Sequence, residues 1–263
     1  MRWLARGEPH LPEGTQWLTA AEAQRAAGMR FTKRRTEYLV RRLAAKTAVA
    51  TALGLGVDPS DLGRVAVLNR LSGAPYVLVD DQPLGLDVSL TDRAGWGVCL
   101  VGPDLGAVGC DVELAEPRSA AFVADFLTPH EQDLVRGAAD PDDGHLLANL
   151  VWSAKESALK VLRTGLRRDT RTVEVHLGAA APPAPDGWAP LQVRTEDRGV
   201  LPGWWHRAGP WLLTVAYARP GPAPQPLERP SALVSAAPTH SWLTSPLVHP
   251  EKAAIPRSSA STT

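Results

Sequence analysis

Apolar residues recur at near-helical spacing through residues 32–53, TKRRTEYLVRRLAAKTAVATAL, at Tyr38, Leu39, Leu43, Val49 and Leu53. Gly54 and Gly56 end the run, so the pattern predicts one long helix. Its opposite side is basic, with Lys33, Arg34, Arg35, Arg41, Arg42 and Lys46. The periodicity then changes. Short apolar runs at 64–70, 75–80, 86–90 and 96–102 are separated by turn residues and read as strands. A further strand is expected at 107–114. Residues 119–127 and 128–139 read as two short helices, the second capped by Thr128 with Pro129 in its first turn. A longer helix covers about 145–163, and strands are expected at 172–177, 190–195 and 211–218, with a flexible loop at 178–187.

This order predicts an α+β protein of two similar halves, each a small, mainly antiparallel sheet packed on a long helix. The halves are expected at 1–106 and 107–219, although no repeat at a fixed period is evident. From Pro220 the chain changes character, with nine of its 24 prolines in residues 220–263. Few apolar residues there offset the entropy of ordering, so a disordered tail is expected.

Composition narrows the class of function. The 263 residues suit one large domain or two small fused ones. The 28 basic and 28 acidic residues cancel, so no global field favours nucleic acid. Cys99 and Cys110 have no metal-type spacing and make no disulfide framework. The opening MRWLARGEPHLPEG lacks the apolar core of a secretion signal, and no window approaches the ~20 apolar residues that span a bilayer. A soluble, monomeric cytoplasmic protein is expected, with neither nucleic acid nor membrane as partner.

Two stretches carry chemistry. In VGCDVEL, Asp111 and Glu113 stand at i and i+2 and leave the same face of a strand, while Val108, Cys110 and Val112 point towards packing. Paired carboxylates repel unless a cation or strong donors lie between them. Mg²⁺ suits such hard oxygen ligands together with substrate phosphates. Taken alone, the pair reads first as a solvated strand face. In WSAKESALK, Trp152, Glu156 and Lys160 share one side of a helix, flanked by Lys155, and Val151, Ala154, Ala158, Val161 and Leu162 fill the other. Glu156 would complete a three-acid metal site, and the lysines would neutralise phosphate or accept a proton. Taken alone, Glu156 and Lys160 also read as an ordinary i,i+4 surface pair.

Together and in this order, GCDVE (109–113) and WSAKESALK (152–160) resemble the signatures of the 4'-phosphopantetheinyl transferases. The closer resemblance is to the larger, two-half type that activates polyketide and nonribosomal peptide synthases, and it covers residues 30–218. It implies the fold of that family and Mg²⁺-dependent (or Mn²⁺-dependent) transfer of phosphopantetheine from coenzyme A to a serine of an apo acyl or peptidyl carrier protein. Adenosine 3',5'-bisphosphate would be released. On the same footing Asp111, Glu113 and Glu156 would hold the metal and Lys160 would contact phosphate. Lys155 would be a candidate base, and Glu131 a support for metal or base. The basic helix resembles the one beside the coenzyme A 3'-phosphate, which implies contacts from Arg34, Arg42 and Lys46. Gly73-Ala74-Pro75 matches the turn before the substrate-side strands, but the basic residue often found just before it is missing, with Ser72 there and Arg70 two residues earlier.

Ser89-Leu90-Thr91-Asp92 matches a nucleotide-contacting segment in which the family has His where this chain has Asp92. Either Asp92 turns away from phosphate, or a cation such as Arg93 compensates it, or coenzyme A binds less tightly. Two other functions fit the same residues: a coenzyme-A-binding relative that does not catalyse transfer, and a Mg²⁺-dependent phosphohydrolase.

Overall fold

A computed structural model describes residues 1–178 and 187–239. The first part of the chain forms β1 (Arg2–Gly7), α1 (Ala20–Ala27), α2 (Thr32–Leu53), α3 (Pro59–Gly63), β2 (Val65–Asn69), β3 (Pro75–Val79), β4 (Gln82–Pro83), β5 (Leu86–Arg93) and β6 (Trp96–Pro103). The second part forms β7 (Val108–Leu114), α4 (Ala120–Phe126), α5 (Pro129–Arg136), α6 (Pro141–Val161), β8 (Val173–Leu177), β9 (Trp188–Thr195), β10 (Gly199–Ala208) and β11 (Trp211–Tyr217). A two-residue strand, β12 (Gln225–Pro226), follows. The α+β class expected from the sequence is the one found.

The described residues form three sheets, with strand orders β12-β1-β6-β5, β2-β3-β4 and β7-β11-β10-β9-β8. Helix α2 lies on β6 and β1, and α6 lies on β7 and β11. Helix α2 ends at Gly54, whose left-handed φ of 70° lets the Leu55 N–H turn back to Ala50 O (2.9 Å). Four alanines on its inner face, Ala44, Ala45, Ala48 and Ala50, help the helix approach the sheet closely. Opposite it stands Gly97, where a Cβ would come within 2.6 Å of Val40 O. Between the halves lies an apolar cluster in which Trp3, Trp96 and Leu100 meet Val112, Trp211 and Val215.

Both halves contain the same buried device. In the first, the Glu22 carboxylate accepts from Thr19 N (2.9 Å), from Val67 N (3.0 Å) and from the Lys46 ammonium. In the second, the Glu131 carboxylate accepts from Thr128 N (2.7 Å), from Val175 N (2.7 Å) and from the Lys155 ammonium (2.7 Å). Thr19, Glu22 and Lys46 lie 109 positions before Thr128, Glu131 and Lys155, and Val67 lies 108 before Val175. Each threonine and glutamate form a capping box on a short helix. The lysine ties that helix to the long one, and the backbone N–H ties it to a strand.

The tail differs from its expectation. Residues 220–239 are packed, because backbone bonds and one buried leucine hold them despite their prolines. Strand β12 runs parallel to β1, and Leu227 N donates to Trp3 O (2.9 Å). Leu233 is fully buried between the halves. Trp211 Nε1 donates to Ala236 O (2.9 Å) and Trp96 Nε1 to Ala237 O (2.8 Å), so consecutive carbonyls bridge one tryptophan from each half. Residues 240–263, and all of the expected 178–187 loop except its two end residues, lie outside the described residues. Among the described residues no helix is long and apolar enough to cross a membrane.

Candidate active site

Strand β7 and helix α6 meet at Gly109. A Cβ there would lie 1.9 Å from Ser157 O, so only glycine allows this approach. Ser157 and Ser153 face the same sheet and share the Thr214 hydroxyl, at 2.8 and 2.9 Å. Contact this close carries the polar side of α6 onto the acidic face of β7.

Asp111 stands where the halves join. Its Oδ1 accepts from Lys160 Nζ (2.9 Å) and from Thr91 Oγ1 (2.9 Å), and its Oδ2 accepts from Ser153 Oγ (3.0 Å). Lys160 also donates to Cys110 O (2.7 Å). From the other half, Ser89 Oγ accepts the N–H of Cys110 (2.9 Å) and Thr91 Oγ1 that of Val112 (3.3 Å). The hydroxyls of Ser89 and Thr91, expected at the nucleotide, therefore satisfy backbone donors of β7 and stitch the halves together. Both residues still border the cleft described below.

Glu113 leaves the same strand face but has other partners. Its Oε1 accepts from Trp152 Nε1 (3.1 Å), and its Oε2 lies 3.1 Å from Arg118 Nη2 and 3.2 Å from Arg93 Nε. Burial, and then the charge of Asp111, push its pKa up to about 7 against the pull of those arginines. Glu156 is half-buried, and its pKa is raised by burial and by Asp111, with Lys160 opposing. Burial alone would lower the Lys160 pKa, but Asp111, Cys110 and Glu156 raise it overall, so the ammonium stays charged.

As a metal site the arrangement fits in part. Asp111 and Glu156 are hard oxygen donors that repel each other, which is the chemistry a divalent cation relieves. The expected third carboxylate, Glu113, is held by two arginines, and among the described residues no three acidic, His or Cys side chains gather closely enough to hold a metal. Lys155 does not flank this face. It is fully buried against Glu131 and donates to Thr170 O (2.9 Å) and Val173 O (2.6 Å). Burial lowers its pKa, as a base would need, with Glu131 opposing. The ~100° step from residue 155 to 156, however, turns it into the core of the second half. Glu131 is likewise fully buried, with its carboxylate committed to its own helix cap, to Val175 N and to Lys155.

A cleft of about 1140 Å³ opens from Asp111, Glu156 and Lys160 and runs between α2, β5 and the end of α6. Arg34 and Arg42 line it as expected. Arg34 is exposed and pairs with Glu37 (3.3 Å). Arg42 is buried, lies over the Tyr38 ring (4.6 Å to its centre) and donates to Asn69 Oδ1 (2.9 Å). Its Nε lies 3.7 Å from Glu22 Oε1 and has no hydrogen-bond partner among the described residues. Lys46 does not reach the cleft, because burial on the core side of α2 commits it to Glu22. The basic stripe is therefore divided, with its last member turned inward. Asp92 lines the cleft and is compensated by a cation, but that cation is Arg41, whereas Arg93 turns to Glu113 and Glu116. Arg25, Arg70, Arg163 and Arg167 also border the cleft. They are scattered along the chain, and no spacing pattern marks them.

An arginine-lined cleft that ends in carboxylates and a charged lysine has the chemistry to receive phosphate groups. Residues 107–214 match the model of the 4'-phosphopantetheinyl transferase superfamily. This region contains both motifs, and members of that superfamily transfer phosphopantetheine from coenzyme A. No curated protein sequence matches the chain.

Proposed function

We propose that this chain transfers the 4'-phosphopantetheine arm of coenzyme A to a serine hydroxyl of an apo acyl or peptidyl carrier protein, and that it requires Mg²⁺ or Mn²⁺ to do so. One observation carries the reading. Lys160 and Asp111, one from each motif, meet at 2.9 Å at the end of a cleft lined by arginines from both halves.

The serine oxygen attacks the pantetheine-side phosphorus of the diphosphate. The bond from that phosphorus to the bridging oxygen breaks, and adenosine 3',5'-bisphosphate leaves. Such transfer needs in-line positioning and charge neutralisation more than covalent help. The Lys160 ammonium neutralises a phosphate oxygen. Asp111 and Glu156 would hold the divalent cation, which would supply further neutralisation of the diphosphate. The arginines bind the remaining phosphate charge bidentately. The serine proton passes to an oxygen facing the cleft, a carboxylate or water, since Lys155 is buried away from it.

Mass analysis of an apo carrier protein incubated with the chain, coenzyme A and Mg²⁺ tests the proposal. The expected result is a gain of one phosphopantetheine arm, abolished by a chelator and restored by excess Mg²⁺. Coenzyme A binding with no gain on several carriers would instead assign a non-catalytic relative. Phosphopantetheine released without a carrier would assign a phosphohydrolase. Asp111→Ala and Glu156→Ala are expected to abolish transfer in folded protein, and normal turnover in either would overturn the site assignment.

A further inference from the structure

Arg41 and Asp92 form an ion pair on the wall of the cleft. The Asp92 side chain is 13% exposed and that of Arg41 31%. A buried carboxylate is costly unless it is paired and hydrogen-bonded, and Arg41 is that partner here. Arg41 has five N–H donors in a planar fork, and among the described residues its only hydrogen bond is the one from Nη1 to Asp92. Its other donors are left for the cleft.

The location points to one part of a ligand. Asp92 follows Thr91, whose hydroxyl donates to Asp111, and the Lys160 charge also acts on Asp92. Arg41 and Asp92 thus line the same cleft as Asp111, Glu156 and Lys160, one residue along β5 from Thr91. Its neighbour Arg42 is held elsewhere, by Tyr38 and Asn69. Two adjacent arginines of α2 thus serve two regions of the cleft.

We infer that Arg41, aimed by Asp92, binds the diphosphate of the nucleotide substrate, and that Asp92 is a positioning residue and not an obstacle to phosphate. The choice of ligand rests on the transferase reading; the placement of the cation does not. A guanidinium restricted to one orientation loses less entropy when it grips phosphate, and this offsets the nearby negative charge.

The test is calorimetric titration of coenzyme A and dephospho-coenzyme A into the full chain, with the melting point of the ligand-free protein as a folding control. Arg41→Gln should weaken both ligands by the same factor, about ten- to a hundredfold. A loss confined to coenzyme A would move Arg41 to the 3'-phosphate, and no loss would remove it from the site; either overturns the inference. Asp92→Asn should weaken both ligands several-fold although it deletes a negative charge, and should weaken them no further in the Arg41→Gln background. Tighter binding by Asp92→Asn would show simple repulsion and overturn the positioning role. If Arg41→Gln does not fold, Arg41→Lys keeps the charge without the fork and is expected to show a smaller equal loss. A wild-type chain that binds neither ligand would sink the transferase reading itself, whereas a binding wild type with unaffected variants sinks this inference alone.

Discussion

Lys155 Nζ lies 2.7 Å from Glu131 Oε2, with both side chains fully buried, while the next residue of the same helix, Glu156, faces the cleft. Helix α6 thus uses adjacent residues for two purposes. Lys155 closes the interior of the second half, and Glu156 serves the site. Lys46 and Arg42 divide α2 in a similar way.

Glu131→Ala should therefore act on stability. It leaves the Lys155 ammonium buried and unpaired, at a cost of about 3–5 kcal/mol. Glu22→Ala should do the same to Lys46. Urea unfolding measures both, and a midpoint equal to wild type would contradict the assignment. Replacing the pair together, with Lys155→Met and Glu131→Leu, should recover much of the loss.

Gly109→Ala should harm transfer more than coenzyme A affinity. The added Cβ meets Ser157 O at 1.9 Å, so α6 must shift and carry Glu156 and Lys160 away from Asp111. Overpacking costs about 1–3 kcal/mol of stability. A misplacement of ~1 Å costs about a hundredfold in rate. Carrier-mass kinetics and thermal melting check the two effects separately.

Stability of the metal-free protein should fall as pH rises from about 4.5 to about 7. Glu113 has its pKa raised to about 7, by burial first and Asp111 second, and those of Glu156 and Asp92 are raised too, chiefly by burial. Raised carboxyls hold more protons in the folded than in the unfolded chain across this window, so the slope of unfolding free energy with pH is negative. The Glu113 contribution is on the order of 2–4 kcal/mol. Melting points taken without divalent cations should decline across the window, and Glu113→Gln should flatten the decline. A melting point that rises across it would refute the argument.

Leu233→Ala should cost about 2–5 kcal/mol, as expected for a fully buried leucine. A disordered tail would make the substitution neutral. Amide exchange gives a second check: Leu227 N–H and Thr239 N–H, bonded to Trp3 O and Ala94 O, should be protected.

Much of the secondary structure was legible. Helix α2 runs over residues 32–53 as its pattern predicts, and β2, β3, β5, β6, β7, β8, β9 and β11 fall on the expected runs. Strands β1, β4, β10 and β12 and helices α1 and α3 were not legible. Strand β10 contains Pro202 and Gly203, which interrupt an alternating pattern, and α1 is only eight residues long. Both motifs are legible in the sequence, and the fold brings their Asp111, Glu156 and Lys160 to one end of the cleft. The inward turn of Lys46, Lys155 and Glu131 was not legible, nor was the pairing of Asp92 with Arg41. Lysines on a helix read as solvated or ligand-facing unless a buried carboxylate elsewhere in the chain is known to meet them.

The sequence by itself determined the local order of elements, the acidic strand and the Glu–Lys helix, because periodicity and motif spacing are properties of neighbouring residues. Only the tertiary structure decided which charges are spent inside the protein and which are left for a ligand. The reason is physical: a buried charge must find its partner across the fold, as Lys155 finds Glu131 and Asp92 finds Arg41. No short stretch of chain encodes which of those encounters the packed halves will allow.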